Sequence, residues 1–505
     1  MDANGGIEIE RKFDVDGLAV LPPLIDLPGV QAIAEPVVHD LEAVYFDTND
    51  LVLSAARITL RRRTGGDDAG WHLKLPQNAG RRREIHAPLG RDRQGEADAV
   101  PESLAQLVRV YVRAAPLVPV ARLTTTRVVH ALIGAGGETL AVLCDDRVQA
   151  ERLVHQPASA AWREWEFELV DAPEDLLDAG QAVLAVAGIL VSRHASKLAR
   201  ALGDRLPAES PRNRQRPTPT GPAGNVLLAS LGEQIGVIRA QDPQIRQHTL
   251  GSVHAMRVAL RRLRSVLATY RSLVDPTVVQ HLRTELGWLA AVLGGSRDEE
   301  VLQRRLAGLL DREDPAVLLG SIRDRLTTRS AADAATARHT LVVALDSHRY
   351  FRLLNALDAL AASPPFTATA GQDARVVVPA LVTKEWKKLR RAVRRATGTV
   401  PGPERDLALH EVRKRAKRLR YAAETAHPLN PKRAARVSGF AQKLQTILGD
   451  QHDSVIARER LLRRGGVDAY LRGENTFSYG RLHALEQQKA ADAEALFWKA
   501  WSHRP

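Results

Sequence analysis

Glu164, Glu166 and Glu168 alternate in the segment WREWEFELV, and Glu8, Glu10 and Lys12 alternate in IEIERKF near the start of the chain. Residues two apart on a strand share a face. Each set therefore projects one charged row, with Ile7 and Ile9, or Trp165 and Phe167, projecting oppositely. Arg61 and Arg63 pair in the same way within ARITLRRR, as do His72 and Lys74 within GWHLKLP. Carboxylate and phosphate oxygens are the donors that Mg²⁺ and Mn²⁺ prefer, and guanidinium and ammonium groups neutralise the remaining phosphate charge. Such a mixture suits attack on a phosphoanhydride by a metal-oriented water. Apolar sides packed outward against helices would leave the polar sides to fill a barrel interior. The alternative is half-exposed antiparallel strands carrying cross-strand ion pairs.

A second kind of chemistry stands further along. In VHAMRVALRRLR, at about 100° per residue, His254, Arg257, Arg261 and Arg264 fall within an arc of roughly 80°. Met256, Leu260, Leu263 and Leu267 form an apolar stripe beside them. LHEVRKRAKRLR repeats the pattern about 155 residues later: His410, Arg413, Lys417 and Arg420 are basic, and Val412, Ala416, Leu419 and Ala423 apolar. Lys414 and Arg418 widen the second basic side. No acidic residue stands within either basic face, so the like charges repel, and a linear polyanion would relieve the repulsion. These faces have no carboxylate cluster for a metal, so they are expected to hold such a polymer without cutting it. The histidines are open between phosphate donors and caps between helices. Downstream, LGGSRDEEVL aligns with LGDQHDSVIA, with His452 and Asp453 where the first copy has Arg297 and Asp298. A repeat of this kind predicts two similar half-bundles.

The elements that must position these residues divide the chain. Short alternating runs separated by turn clusters such as TGGDDAG and GAGGE predict strands over the first ~200 residues, with helices at SLAQLVRVYV and DLLDAGQAVLAVAGIL. PAESPRNRQRPTPTGPAG, rich in Pro and Arg, predicts a solvated linker. Everything beyond it has helical periodicity. The expectation is α+β followed by all-α: residues 1–203, a linker at 204–224, and a helical domain at 225–505.

The bulk properties agree with two domains in 505 residues. The net charge of +13 calls for a polyanionic partner, and an aromatic content of 4% argues against base stacking as its mode of recognition. Nucleic acid is thus disfavoured, although charge alone would permit it. No stretch approaches the ~18 apolar residues of a membrane span. No secretory signal is visible at the N-terminus. The single cysteine, Cys144, allows no intrachain disulfide and reads as structural. The histidines show no H-x-x-x-H zinc spacing. A soluble cytoplasmic protein is expected.

The first region resembles a CYTH domain of the triphosphate tunnel metalloenzyme family, through EIERK, YFDT, LRRR, WHLKLP, DDRV, EWEFE and ASKLARAL. The resemblance implies an antiparallel β-barrel tunnel that hydrolyses inorganic triphosphate with Mg²⁺ or Mn²⁺. It implies metal ligation by Glu8, Glu10, Asp145, Glu164, Glu166 and Glu168. It also implies phosphate binding by Lys12, Arg61, Arg63, Lys74, Arg83, Arg122, Arg127 and Lys197, with Glu8, Glu10, Lys12 and Lys74 catalytic. Activity on an organic triphosphate, as a nucleotide or thiamine triphosphatase or as an adenylate cyclase, is an alternative, since these activities share motifs.

The helical region resembles the conserved histidine α-helical, or CHAD, family through its two basic motifs. This implies a two-fold pseudo-symmetric bundle that binds inorganic polyphosphate, and association with polyphosphate granules is the corresponding expectation. The implied groove uses His254, Arg257, Arg261, Arg262, Arg264, Lys384, Lys388, His410, Arg413, Lys414, Lys417, Arg418 and Arg420. A non-catalytic polyphosphate-binding protein is the alternative for the whole chain.

Overall fold

A computed structural model describes residues 5–76, 82–90, 99–206, 221–320, 322–327 and 331–504, without the side chains of 5–8, 295–301, 327, 331–334 and 464–465. Most of the expected linker, and the side chains of Glu8, Arg297 and Asp298, lie outside the described residues. The chain divides into two compact units, Met1–Ser210 and Pro211–Pro505.

The first unit is built on strands β1 (Gly5–Glu8), β2 (Glu10–Val15), β3 (Ala32–Ile33), β4 (Val37–Asp47), β5 (Thr59–Thr64), β6 (Gly70–Pro76), β7 (Arg82–Ala87), β8 (Val118–Ile133), β9 (Thr139–Arg152), β10 (Ala158–Leu169) and β11 (Leu190–Val191). Its helices are α1 (Val52–Ala55), α2 (Glu102–Val112), α3 (Asp175–Val186) and α4 (Lys197–Leu202). The hydrogen-bonded order is β1-β7-β6-β5-β4-β8-β9-β10-β2-β11, and every pairing is antiparallel. β1 and β2 are separated only by Ile9, so one stretch of chain pairs with β7 at one end of the ladder and with β10 at the other. That continuity closes the sheet into a barrel, as expected.

Apolar side chains hold the outside of the barrel. Phe13, Trp165 and Phe167 are fully buried with Leu176, Leu177 and Leu184 of α3. Phe46, Leu60, Trp71, Leu73 and Ile85 pack with Leu104, Leu107 and Val108 of α2. These residues fix the parity of their strands, and the alternate positions must face inward.

Asp47, fully buried at the end of β4, secures α1. Its Oδ1 accepts from the Thr48 and Leu53 amides at 2.7 and 2.8 Å, and its Oδ2 from the Ser54 amide and hydroxyl at 2.8 and 2.7 Å. Asp47→Ala leaves buried donors unsatisfied and is expected to cost about 2–4 kcal/mol of stability. A lowered urea midpoint with unchanged m-value would show it.

The second unit comprises α5 (Ala223–Arg246), α6 (Ser252–Thr269), α7 (Pro276–Val292), α8 (Gly294–Leu310), α9 (Ile322–Thr327), α10 (Ala331–Leu345), α11 (His348–Ala362), α12 (Ala374–Thr397), α13 (Pro403–Thr425), α14 (Pro431–Arg460), α15 (Asp468–Leu471) and α16 (Phe477–Ser502). The repeated basic helices are α6 and α13. Each sits between a preceding and a following partner, α5 and α7 in one half, α12 and α14 in the other. Their apolar stripes are buried: Met256, Leu260, Leu263 and Leu267 on α6, and Val412, Ala416, Leu419 and Ala423 on α13. α6 and α13 also pack on each other, and the buried Tyr270 hydroxyl donates to the Ala422 carbonyl at 3.0 Å. Among the described residues no helix is long and apolar enough to cross a membrane.

Candidate functional site

Inside the barrel, β2, β9 and β10 place acidic residues side by side. Register sets Glu10 opposite Glu168, Lys12 opposite Glu166, and Glu164 opposite Asp146. Asp146, Glu164 and Glu166 are all buried and offer oxygens within 4.8 Å of one another. Ser196 caps α4 by accepting from the Ala199 amide at 3.1 Å, which starts the helix at Lys197. Lys197 then turns its ammonium into the barrel, 2.8 Å from Asp146, 2.8 Å from Glu164 and 2.6 Å from Glu166. Arg127, on β8, forks onto Asp146 at 2.7 and 2.6 Å and reaches Glu166 at 2.5 Å. Lys12 bridges Glu166 and Glu10, the latter at 3.1 Å.

The other wall is mainly basic. Arg61 and Arg63 of β5, Lys74 of β6, and Arg82 and Glu84 of β7 line one cavity of about 90 Å³ with Glu10, Lys12, Arg127, Glu166, Glu168 and Lys197. Tyr45 turns its hydroxyl toward Arg61 at 3.4 Å, and Arg63 pairs with Asp68. Charge density shows in the titration of these groups. Burial would raise the Glu10 carboxyl, but Lys12, Lys74 and Arg82 hold it well below the carboxylate range. Burial likewise opposes ionisation of Asp146, and Lys197 and Arg127 overcome it. Burial, with Arg61 and Arg127 beside it, lowers the Arg63 guanidinium to about 9. Burial also pushes the Lys12 ammonium down, against the pull of Glu10 and Glu164.

Three expected tunnel residues stand elsewhere. Asp145 pairs in register with the outward Trp165 and is held by Arg163 at 2.8 and 2.7 Å, so Asp146 takes the inner position. Arg83 shares the parity of core Ile85, and Arg82 lines the cavity instead. Arg122 is half-exposed on the outer face, 3.6 Å from Glu42. Glu84, Tyr45 and Asp68 are additions that sequence reasoning missed. Tyr45 had a signal in the YFDT run.

The buried carboxylate cluster fits a divalent cation. Its donors are hard oxygens, and Glu164 Oε1 is buried without hydrogen-bond geometry although Lys197 Nζ lies 2.8 Å away. Glu10 and Glu168 line the cavity together with Glu166, the member of the cluster that reaches it, and extend this oxygen donor set.

In the helical unit the two repeats meet. Lys417 of α13 is flanked by Arg413 and Arg420 of its own helix and by Arg257 and Arg261 of α6. Burial first, then these four cations, lowers its ammonium to about 8. The faces are less purely basic than expected, because one acidic residue reaches in from a flank and another continues the second face one turn beyond Arg420. Glu424 accepts from Arg420 at 2.7 Å and sits 3.3 Å from Arg262, and Glu411 pairs with Lys414 at 2.6 Å. Burial first lowers the Arg418 guanidinium, Glu385 opposes that and Arg415 and Arg283 add to it, and Lys388 bonds to that same Glu385 at 2.5 Å. This pair therefore belongs to a separate grouping around α12. Lys384, His254 and Arg264 are exposed. His410 stacks near His452, with ring centroids 4.1 Å apart. Burial, with His452, Lys414 and Arg413, holds His410 at about 4, so it carries no charge at neutral pH.

Residues 6–202 match the CYTH domain family, and residues 229–462 match the CHAD domain family. The chain is a CYTH–CHAD fusion protein. Its CYTH domain belongs to the metal-dependent triphosphate tunnel family. The fusion is 39% identical over 497 residues to Uncharacterized protein MT2285 of Mycobacterium tuberculosis (strain CDC 1551 / Oshkosh), covering 96% of this chain and 93% of that one. Uncharacterized protein Rv2226 of strain ATCC 25618 / H37Rv matches to the same extent. Among solved structures, PptA from Streptomyces chartreusis is 23% identical, with a TM-score of 0.46, over 56% of this chain and 99% of its own. The CHAD domain from the plant Ricinus communis is 25% identical, with a TM-score of 0.44, over 58% and 96%.

Proposed function

We propose that the CYTH tunnel hydrolyses inorganic triphosphate with Mg²⁺ or Mn²⁺, and that the CHAD domain holds longer inorganic polyphosphate without cutting it. The observation that carries the first part is the lining of the cavity. Every described lining residue is charged or polar, and its one aromatic, Tyr45, turns its hydroxyl to a guanidinium. No apolar wall among them would receive a base or a thiazole ring.

Asp146, Glu164 and Glu166, with Glu10 and Glu168, would hold the cation. When bound it would neutralise phosphate charge and orient water. Arg61, Arg63, Lys74 and Arg82 bind and align the phosphates from the facing wall. Lys12, kept between Glu10 and Glu166, orients water or a phosphate oxygen at the point where the two walls meet. Lys197 and Arg127 fix the carboxylates in place. Full-length protein should release phosphate from tripolyphosphate only with Mg²⁺ or Mn²⁺, and excess chelator should stop the release. One observation favours a tunnel that binds without turnover: Lys197 contacts all three buried carboxylates and competes with a cation for them. Tight tripolyphosphate binding without phosphate release would decide for that reading.

Lys417 gives polyphosphate binding a pH signature. Its ammonium is lowered to about 8 in the free protein. A bound polyanion favours the charged form and raises that value. Below about 8 the ammonium is charged in both states, so affinity is flat; above it, binding must take up a proton, so affinity falls as pH rises. Titrations from pH 7 to 9.5 should show the fall, and Lys417→Met should flatten it.

A further inference from the structure

β6 and β7 set His72 opposite His86, with ring centroids 4.3 Å apart. His72 is buried, with Nε2 2.9 Å from the Asp68 carbonyl oxygen and Nδ1 2.9 Å from Glu84 Oε1. A carbonyl oxygen only accepts, so Nε2 carries a hydrogen, and a neutral ring then aims the Nδ1 lone pair at a carboxylate oxygen. Two acceptors at that separation repel unless a cation or a second proton lies between them. The third group points to a metal ion. His86 Nε2 stands 3.5 Å from the same Glu84 oxygen, and one ligand atom from each residue falls within a mutual 4.8 Å. Ligands at about 2.0–2.1 Å from one ion lie roughly 2.9 to 3.4 Å apart, which brackets the shorter contact and nearly meets the longer. The Asp68 carbonyl also supplies the outer partner that fixes the tautomer of a ligating histidine.

We propose that His72, Glu84 and His86 form a second metal site, distinct from the carboxylate cluster on β9 and β10, that takes a borderline divalent transition-metal ion such as Zn²⁺ or Co²⁺. Two imidazoles and one carboxylate select this class of ion over Mg²⁺. Glu84 lines the tunnel and lies 3.8 Å from Lys74, so the ion would sit in the wall that bears the phosphate-type cations. Glu84 and His86 are two apart on β7, and the third ligand comes from the neighbouring strand β6, so the full set shows only in the cross-strand register. The proposal does not depend on which triphosphate the tunnel takes.

The test uses metal-free, full-length protein titrated with Zn²⁺ by calorimetry and with Co²⁺ by visible absorption. Wild type should bind at this site and develop Co²⁺ d–d bands. His86→Ala should weaken that binding by at least about 100-fold, and Glu166→Gln should leave it in place. The His86 side chain is 40% exposed, so its removal leaves the fold intact, which a thermal melt verifies. His72→Gln serves as the second variant. Zn²⁺ binding unchanged in both histidine variants, or absent from wild type, would overturn the proposal and leave His72 as an imidazolium paired with Glu84.

Discussion

Glu166→Gln should lower metal-dependent phosphate release from tripolyphosphate by about 100- to 1,000-fold while leaving the protein folded. Glu166 is the carboxylate on which the tunnel converges. It meets Lys12, lies 2.5 Å from Arg127 and 2.6 Å from Lys197, and shares the oxygen cluster with Asp146 and Glu164. The amide keeps the shape of the side chain and one oxygen but removes the charge a cation needs. Glu166→Ala is a harsher change. It strands buried cations without their partner, and breaking such a pairing costs about 3–5 kcal/mol. Its melting temperature should therefore fall along with its activity. The glutamine variant separates the two effects, and release that persists at the wild-type rate would remove Glu166 from the mechanism.

Substituting Arg257, Arg261, Arg413 and Lys417 together by methionine should weaken polyphosphate binding by about 1,000-fold, taking roughly 1 kcal/mol per cation near an anionic surface. The slope of log affinity against log salt should become shallower by about one for each phosphate that is no longer neutralised. Stability should move the other way. The ammonium of Lys417 is pushed down by burial and by its cationic neighbours, so removing them relieves a cost of the free fold. A variant that binds weakly and melts higher is the signature of a site built for an absent polyanion. Weak binding with a lower melting temperature would mark these residues as structural. Competition at equal phosphate concentration tells polymers apart, and nucleic acid should displace polyphosphate poorly.

What the sequence revealed depended on whether an apolar neighbour fixed the parity of a strand. Trp165 and Phe167 are wholly buried, and this places Glu164 and Glu166 inside. Phe13 does the same for Glu10 and Lys12. Leu143 and Cys144 are adjacent and both buried, so they give no parity, and Asp145 and Asp146 look alike until cross-strand register is known. The run Arg81-Arg82-Arg83 hides its inward member in the same way. On the helices, the buried stripes of α6 and α13 made the basic faces legible. Acidic neighbours then blurred them: Glu411 sits off the face yet reaches Lys414, and Glu424 continues the face one turn beyond Arg420 and pairs with it. Cross-strand contacts that depend on register, such as those of His72 on β6 with Glu84 and His86 on β7, leave no single local pattern to read.

The most direct test of the account is phosphate release by the full-length protein from tripolyphosphate, ATP and thiamine triphosphate in parallel, each with Mg²⁺ and with Mn²⁺. The polar lining predicts that tripolyphosphate gives the highest kcat/KM with either metal and that the two organic substrates trail it. Faster turnover of ATP or thiamine triphosphate, or cyclisation of ATP in place of hydrolysis, would contradict it.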